Sequence, residues 1–451
     1  MNRREKGMSK STIKFVSARQ AFSGRGHPAV EATVVTESGK EGTVQCTAGV
    51  SIGTHEVEFV YDGGERWRGK GVLQAVENIN EVIGPAIIGM DAMHQSVVDD
   101  VILNLKGIDT KRILGGNAVA AVSAAVLKAA ALAGDIPLYE HIGGCRAVTL
   151  PCAAYGALSG SNRYGSGIQS GSKPTYSFVA YDFPSFSEAS YALWEVCTDW
   201  WSYMAVNWGL RPSESSYYFT AGGLVNVPQG MVEHDSQLWD MMAEVIARRG
   251  YENRIGLQVD VASDTFYDHR TQTYQELFCK GIRTREEQIA MIIEMCRKWP
   301  FVIIEDPLHE EDYEGHAILA RGTGIQIVGD DLFTTNIKRL EDGVKVKAAN
   351  TVLLKVNQIG SITEALEMIQ AAYANGYGVM PCSSRGENID ICDYSVGINA
   401  GTIRESGLGS PGNRFRQIEM ELGKRARFAG KKGLMGAKFR EDEKEAVRAA
   451  I

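Results

Sequence analysis

Between Ile255 and Asp390 four apolar runs each end on a charged residue: IGLQVDV delivers Asp260, FVIIEDP Glu305, IQIVGDD Asp330 and TVLLKVNQIG Lys355. Twenty-five residues separate Glu305 from Asp330, and another 25 separate Asp330 from Lys355. That is about the period of one strand, one helix and two loops. The intervals have helical character, with capping boxes at Thr284/Glu287 and Ser361/Glu364 opening QIAMIIEMCRKW and ALEMIQAAYANG. Strands and helices alternating at fixed period predict a parallel sheet covered by helices, and the distance from Asp260 to the run GVMPCSS suits a β/α barrel. The C-terminal strand ends of a barrel share one mouth, so three acids and a lysine would meet there. Ion pairing is the plainer account of such charges, but each of them follows a fully apolar strand.

Ahead of this region, residues 12–62 alternate as antiparallel strands (TIKFVSARQAF, PAVEATVVTE, GTVQCT), and an alanine-rich helix is predicted from Asn117 to Leu132. At 451 residues the chain exceeds the usual size of one core. The divisions expected are an α+β domain over 1–144, a barrel over 145–430 and a charged, solvated extension over 431–451. A balance of 47 basic against 55 acidic residues disfavours general affinity for nucleic acid. Eight scattered cysteines without a CxxC pair fit a reducing interior, hence the cytoplasm. The polar start MNRREKGMSKS has no apolar core and no apolar run approaches 18 residues, so neither export nor a membrane is expected.

The segments SARQAFSGRGHPAVE, RGKGVLQAVENINEVIGPAIIG, NAVAAVSAAVLKAAALAGDIPLYEHIGG, IIEDPLHEEDYEG, VGDDLFTTN and LLKVNQIGSITEA resemble enolase, from about Lys14 to Gly430. The resemblance implies an N-terminal α+β capping domain followed by a β/α barrel, and a homo-oligomer, a dimer or larger. It implies Mg²⁺ on Asp260, Glu305 and Asp330, whose hard oxygen donors suit that ion, and Lys355 as the base that takes a proton α to a carboxylate. In the loop TAGVSIGTHE, Ser51 stands where enolases use a serine on a second magnesium ion, with Glu56 also matching.

Several positions depart from the family pattern. The Gly/Ser-rich stretch LPCAAYGALSGSNRYGSGIQSGSKP has the character of a mobile loop, and its Arg163 falls where enolases carry a substrate-facing His. Tyr176, Ser177 and Phe178 replace the family's Gln-Glu-Phe, and Thr220, Ala221 and Gly222 replace its Asp-Glu-Gly. Both glutamates near the leaving hydroxyl are thus missing. Ser-His-Arg-Ser-Gly-Glu becomes Cys382-Ser383-Ser384-Arg385-Gly386-Glu387, and the substrate-gripping Lys becomes Arg404. Arg385 and Arg404 are expected to bind substrate, Arg404 through a planar, bidentate fork. The aromatic run WEVCTDWWSYMAVNW is expected to be a buried helix face or a subunit contact rather than a cofactor platform.

The expectation that follows is an enolase-like, Mg²⁺-dependent lyase. It would abstract the proton α to a carboxylate of a small acid that carries phosphate or another anionic group, then eliminate a β-group, on a substrate other than 2-phosphoglycerate. Removing that proton creates a dianionic enediolate, so cations and a lysine of depressed pKa are what the step requires. The alternatives are phosphopyruvate hydratase with rearranged loops that supply the missing acid, Glu387 being one candidate, and a non-catalytic binding or structural protein.

Overall fold

A computed structural model describes residues 9–24, 26–49, 52–159, 164, 173–209, 224–382 and 385–439. The sequence expectations at Ser51, Arg163, Thr220, Ala221, Gly222, Ser383 and Ser384 lie outside those residues.

Two compact units form, each from separate stretches of chain. The first comprises Met1–Ala147, Lys355–Gln370 and Ser383–Gly397, and the second Val148–Leu354, Ala371–Cys382 and Ile398–Ile451. In the first, β1 (Ile13–Phe22), β2 (Pro28–Thr36) and β3 (Glu41–Cys46) make an antiparallel sheet in that order. Their inward residues alternate along β2 and β3 as a sheet with one covered face requires. Helix α1 (Gly116–Ala133) covers that face. Its alanines allow close approach, and Gly42 on β3 completes it: a Cβ there would lie 2.3 Å from the Ala125 carbonyl oxygen and 2.4 Å from the Ala129 nitrogen. Among the described residues α1 is the one helix long and apolar enough to cross a membrane, yet 89% of it is buried in the protein.

The second unit is built on β4 (Cys152–Ser159), β5 (Thr175–Ala180), β6 (Ile255–Asp260), β7 (Phe301–Glu305), β8 (Gln326–Gly329), β9 (Thr351–Leu354), β10 (Gly378–Pro381) and β11 (Thr402–Ile403). They pair in the order β10-β9-β8-β7-β6-β5-β4-β11. The bridge between Cys382 and Arg404, the residues after β10 and β11, joins the two ends, so the sheet closes. The expected β/α barrel is present with one correction to its parallel sheet: β5 runs antiparallel to both β4 and β6. Antiparallel neighbours need no crossover helix between them.

Helices clothe the outside, among them α2 (Phe186–Trp208), α3 (Ser236–Arg248), α4 (Arg285–Lys298) and α5 (Tyr313–Thr323). The Thr284/Glu287 capping box opens α4 as its sequence predicts, each side chain bonded to the other residue's backbone. Trp200 and Trp201 of the aromatic run are buried, and the Trp200 indole donates to the Ala157 carbonyl at 3.0 Å. Past residue 430, Leu434 and Phe439 are buried and the Phe439 ring lies 5.9 Å from that of Tyr181, so residues 431–439 join the unit's core; the rest of the expected solvated extension lies outside the described residues.

Candidate functional site

Asp260 is the last residue of β6 and Glu305 the last of β7, and the two are direct partners in the parallel ladder. Glu305 pairs with Val328 on β8, two residues before Asp330. Register alone therefore sets three carboxylates side by side at the C-terminal ends of adjacent strands. All three are buried.

Asp306 holds the arrangement. Its Oδ1 accepts the Asp330 N–H at 2.9 Å and its Oδ2 accepts the Asp331 N–H at 2.9 Å. These bonds stabilise Asp306 in a left-handed conformation (φ 42°), which costs a non-glycine residue about 1–3 kcal/mol. Burial, and then the charges of Asp331, Asp330 and Glu305, push the Asp306 carboxyl well above its ordinary pKa.

Two cations face the acids. Arg404 donates through Nη1 to Glu305 Oε1 at 3.1 Å and through Nη2 to Asp260 Oδ2. Lys173 Nζ also donates to Asp260 Oδ2. Burial opposes the Arg404 charge, but Glu305 and Glu405 hold its pKa above the ordinary value. Sequence reasoning expected Arg404 on a substrate; the structure sets it on the carboxylates themselves. Lys173 was missed altogether, and nothing in the Gly/Ser-rich stretch distinguishes it.

The donor set fits a divalent ion. Ligand atoms of Glu305, Asp306 and Asp330 lie within 4.8 Å of one another, and Asp260 abuts Glu305. Since Asp306 spends both oxygens on the turn, Asp260, Glu305 and Asp330 are the better ligands. Three carboxylates against the charges of Lys173 and Arg404 leave an excess of negative charge that a hard cation would balance.

On β5, Tyr176 and Phe178 contact aromatic side chains of the surrounding helices, Trp239 of α3 and Trp200 of α2. Strand alternation then turns Ser177 to the barrel interior, where it is buried, in register with Gln258. A hydroxyl, not a carboxylic acid, occupies that position.

Lys355 follows the final residue of β9, with its side chain 2% exposed. In the same compact unit, Arg385 closes on Glu56 with Nη1–Oε2 at 2.7 Å and Nη2–Oε1 at 2.5 Å. Glu56 also accepts the Gly53 N–H at 3.2 Å and the Gln358 amide at 3.2 Å. The Arg385 carbonyl accepts the Thr47 N–H at 3.0 Å. Gly386 is required beside it: its φ is 104° and a Cβ would lie 2.7 Å from the Gln45 carbonyl oxygen. Sequence reasoning expected Arg385 on a substrate; the structure sets its fork on Glu56 in bidentate fashion.

Glu387 accepts the Arg385 N–H at 3.2 Å, and burial pushes its carboxyl up to about 6 against the opposing pull of backbone donors and Arg385. The folded protein thus keeps a proton that the unfolded chain loses near its ordinary value of about 4.3. This contribution to stability is complete below that pH and is lost as pH rises through 6. Relative to Glu387→Gln, the wild type should therefore lose about 2 kcal/mol of unfolding free energy between pH 4 and pH 7. Urea unfolding of both proteins at the two pH values measures it, and a constant difference would refute the shift.

Comparison with known proteins places this geometry. Residues 13–142 match the family model "Enolase, N-terminal domain" and residues 222–436 match "Enolase, C-terminal TIM barrel domain". The enolase of Methanocaldococcus jannaschii is 36% identical over 436 residues, covering 93% of this chain and 97% of that protein. The enolase of Methanococcus maripaludis is 37% identical over 431 residues, with 93% and 97% covered, and that of Methanopyrus kandleri 37% over 437, with 92% and 97% covered. With both domains matched and more than nine-tenths of the chain aligned, this protein belongs to the enolase family of carbon–oxygen lyases.

Proposed function

We propose that this enzyme removes the proton α to a carboxylate of a small anionic acid and expels a β-group, with Mg²⁺ held by Asp260, Glu305 and Asp330, on a substrate other than 2-phosphoglycerate. The observation that carries the change of substrate is Ser177, a buried hydroxyl facing the barrel interior where the family places a glutamate. When bound, Mg²⁺ would neutralise charge that accumulates on the substrate carboxylate. Lys355, buried and directly after β9, is the base, as the resemblance to enolases implies. Arg404 and Lys173 add fixed positive charge beside the carboxylates. The resemblance to enolases also gives Ser51 to a second ion or the substrate.

Eight cysteines, none of them in a disulfide, support a cytoplasmic location, and the exposed Phe15 and Phe22 on β1 support a homo-oligomer. The reading is tested by incubating the protein and Mg²⁺ in heavy water with phosphorylated and unphosphorylated 3-hydroxy acids, following α-deuteration by NMR. Metal-dependent exchange on at least one acid is expected; exchange on none would favour a binding role. A second reading, dehydration of 2-phosphoglycerate, is favoured by the relatives' name and by Glu387, whose pKa of about 6 suits a general acid.

The metal assignment makes its own prediction. Glu305→Gln should weaken Mg²⁺ binding by at least the ~10–100-fold known for outer-shell partners of metal sites. Calorimetric titration, with circular dichroism to verify folding, measures it. Undiminished affinity would remove Glu305 from the ligand set.

A further inference from the structure

We propose that Asp264, His269 and His309 form a second divalent-metal site, of transition-metal rather than magnesium chemistry, on the loops that follow β6 and β7. One donor atom from each of the three lies within 4.8 Å of the others, a spacing at which they can share an ion. Two imidazoles and one carboxylate are a borderline-soft donor set, which selects Zn²⁺, Co²⁺ or Ni²⁺ over the oxygen-seeking Mg²⁺.

His309 is oriented in advance of any ion. Its ring stacks on Tyr267 with centroids 4.5 Å apart and planes 11° apart, and its backbone N–H donates to the Tyr274 hydroxyl at 3.0 Å. Its Nδ1 meets Asp264 Oδ1, while Asp264 Oδ2 accepts the Glu310 N–H at 2.9 Å. An ion would take the place of the proton that Asp264 Oδ1 and His309 Nδ1 share, so that pair supplies two of its donors and binding releases a proton. His269 stands edge-on, its ring 4.9 Å from His309 and 5.1 Å from Tyr267. A plain ion pair between two loops accounts for Asp264 and His309, but not for the exposed imidazole turned toward both. With three protein donors the ion would keep positions for water.

The location gives the site a role. Asp264 lies four residues after Asp260, and His309 four after Glu305. An ion shared by them would clasp together the two loops that leave the carboxylate cluster, while leaving the cluster's own ligands untouched.

The test uses untagged protein in a Cys145→Ser, Cys279→Ser background, which removes the two thiols that are not buried. Co²⁺ is titrated in excess Mg²⁺ and followed by calorimetry and by its visible absorption. One equivalent of Co²⁺ is expected, with affinity at least ~10-fold lower in His269→Ala and absorption lost in His309→Ala. His269 is exposed, so its substitution leaves folding intact and is the deciding variant. Glu305→Gln should bind Co²⁺ as the parent does. Absence of binding, affinity indifferent to His269→Ala, or loss in Glu305→Gln with retention in His269→Ala would each overturn the site, and none of these bears on Lys355 or on the choice of substrate.

Discussion

With saturating Mg²⁺, 2-phosphoglycerate should yield phosphoenolpyruvate at no more than a trace rate, at least ~10³-fold below the 1–10³ s⁻¹ typical of enzymes. Hydroxide is a poor leaving group and departs only when protonated. The family's two glutamates at that task are replaced by Ser177 and Ala221. Alanine has no proton to give, and a serine hydroxyl is far too weak an acid at neutral pH. By the same resemblance, Ser383 and Ser384, and Arg404 in place of a lysine, would remove further contacts that enolases make to 2-phosphoglycerate. Each loss can cost a few kcal/mol of transition-state stabilisation, and about 1.36 kcal/mol is tenfold in rate. A steady-state assay of phosphoenolpyruvate formation decides it. Turnover in the ordinary range would reinstate 2-phosphoglycerate as substrate and direct attention to Glu387 as the acid.

Substituting the base should be nearly as severe. Lys355→Ala is expected to lower α-proton exchange by about 10²–10⁴-fold for any acid that the wild type accepts. Within LLKVNQIG no other side chain can accept a proton at neutral pH. Because Lys355 is buried, Lys355→Met is the companion variant, preserving most of the side-chain volume while removing the amine. Both should bind Mg²⁺ with about the wild-type affinity, which separates a lost base from a collapsed site. Exchange at the full rate in folded Lys355→Met would assign the proton transfer to another group.

The barrel and its charged strand ends were legible because repetition carries them: apolar strand, charged residue, helix, at steps of 25 residues from Glu305 through Asp330 to Lys355. The direction of β5 was not, since a fully buried strand has the same composition whichever way it runs. Nor was the fate of Arg385. Its partner Glu56 is 329 residues away, and a one-place shift in Cys382-Ser383-Ser384-Arg385 looks locally like a displaced substrate contact. Lys173 escaped for the opposite reason, lying in a stretch so rich in glycine and serine that no period marks which side chain turns inward. The grouping of Lys355–Gln370 and Ser383–Gly397 with the N-terminal unit was equally hidden, because it is a property of contacts rather than of chain order.

The closure at Arg404 carries an implication for how such sites diversify. The seam there consists of main-chain pairing, the Arg404 N–H donating to the Pro381 carbonyl at 3.0 Å beside the bridge to Cys382. Any residue except proline supplies that amide. The side chain, meanwhile, is the cation that meets Asp260 and Glu305. Architecture and charge recognition are thus written in different atoms of one residue. An ammonium can be exchanged for a guanidinium at this place without loss of the main-chain seam, so the charge that meets the carboxylates can vary while the cylinder stays closed.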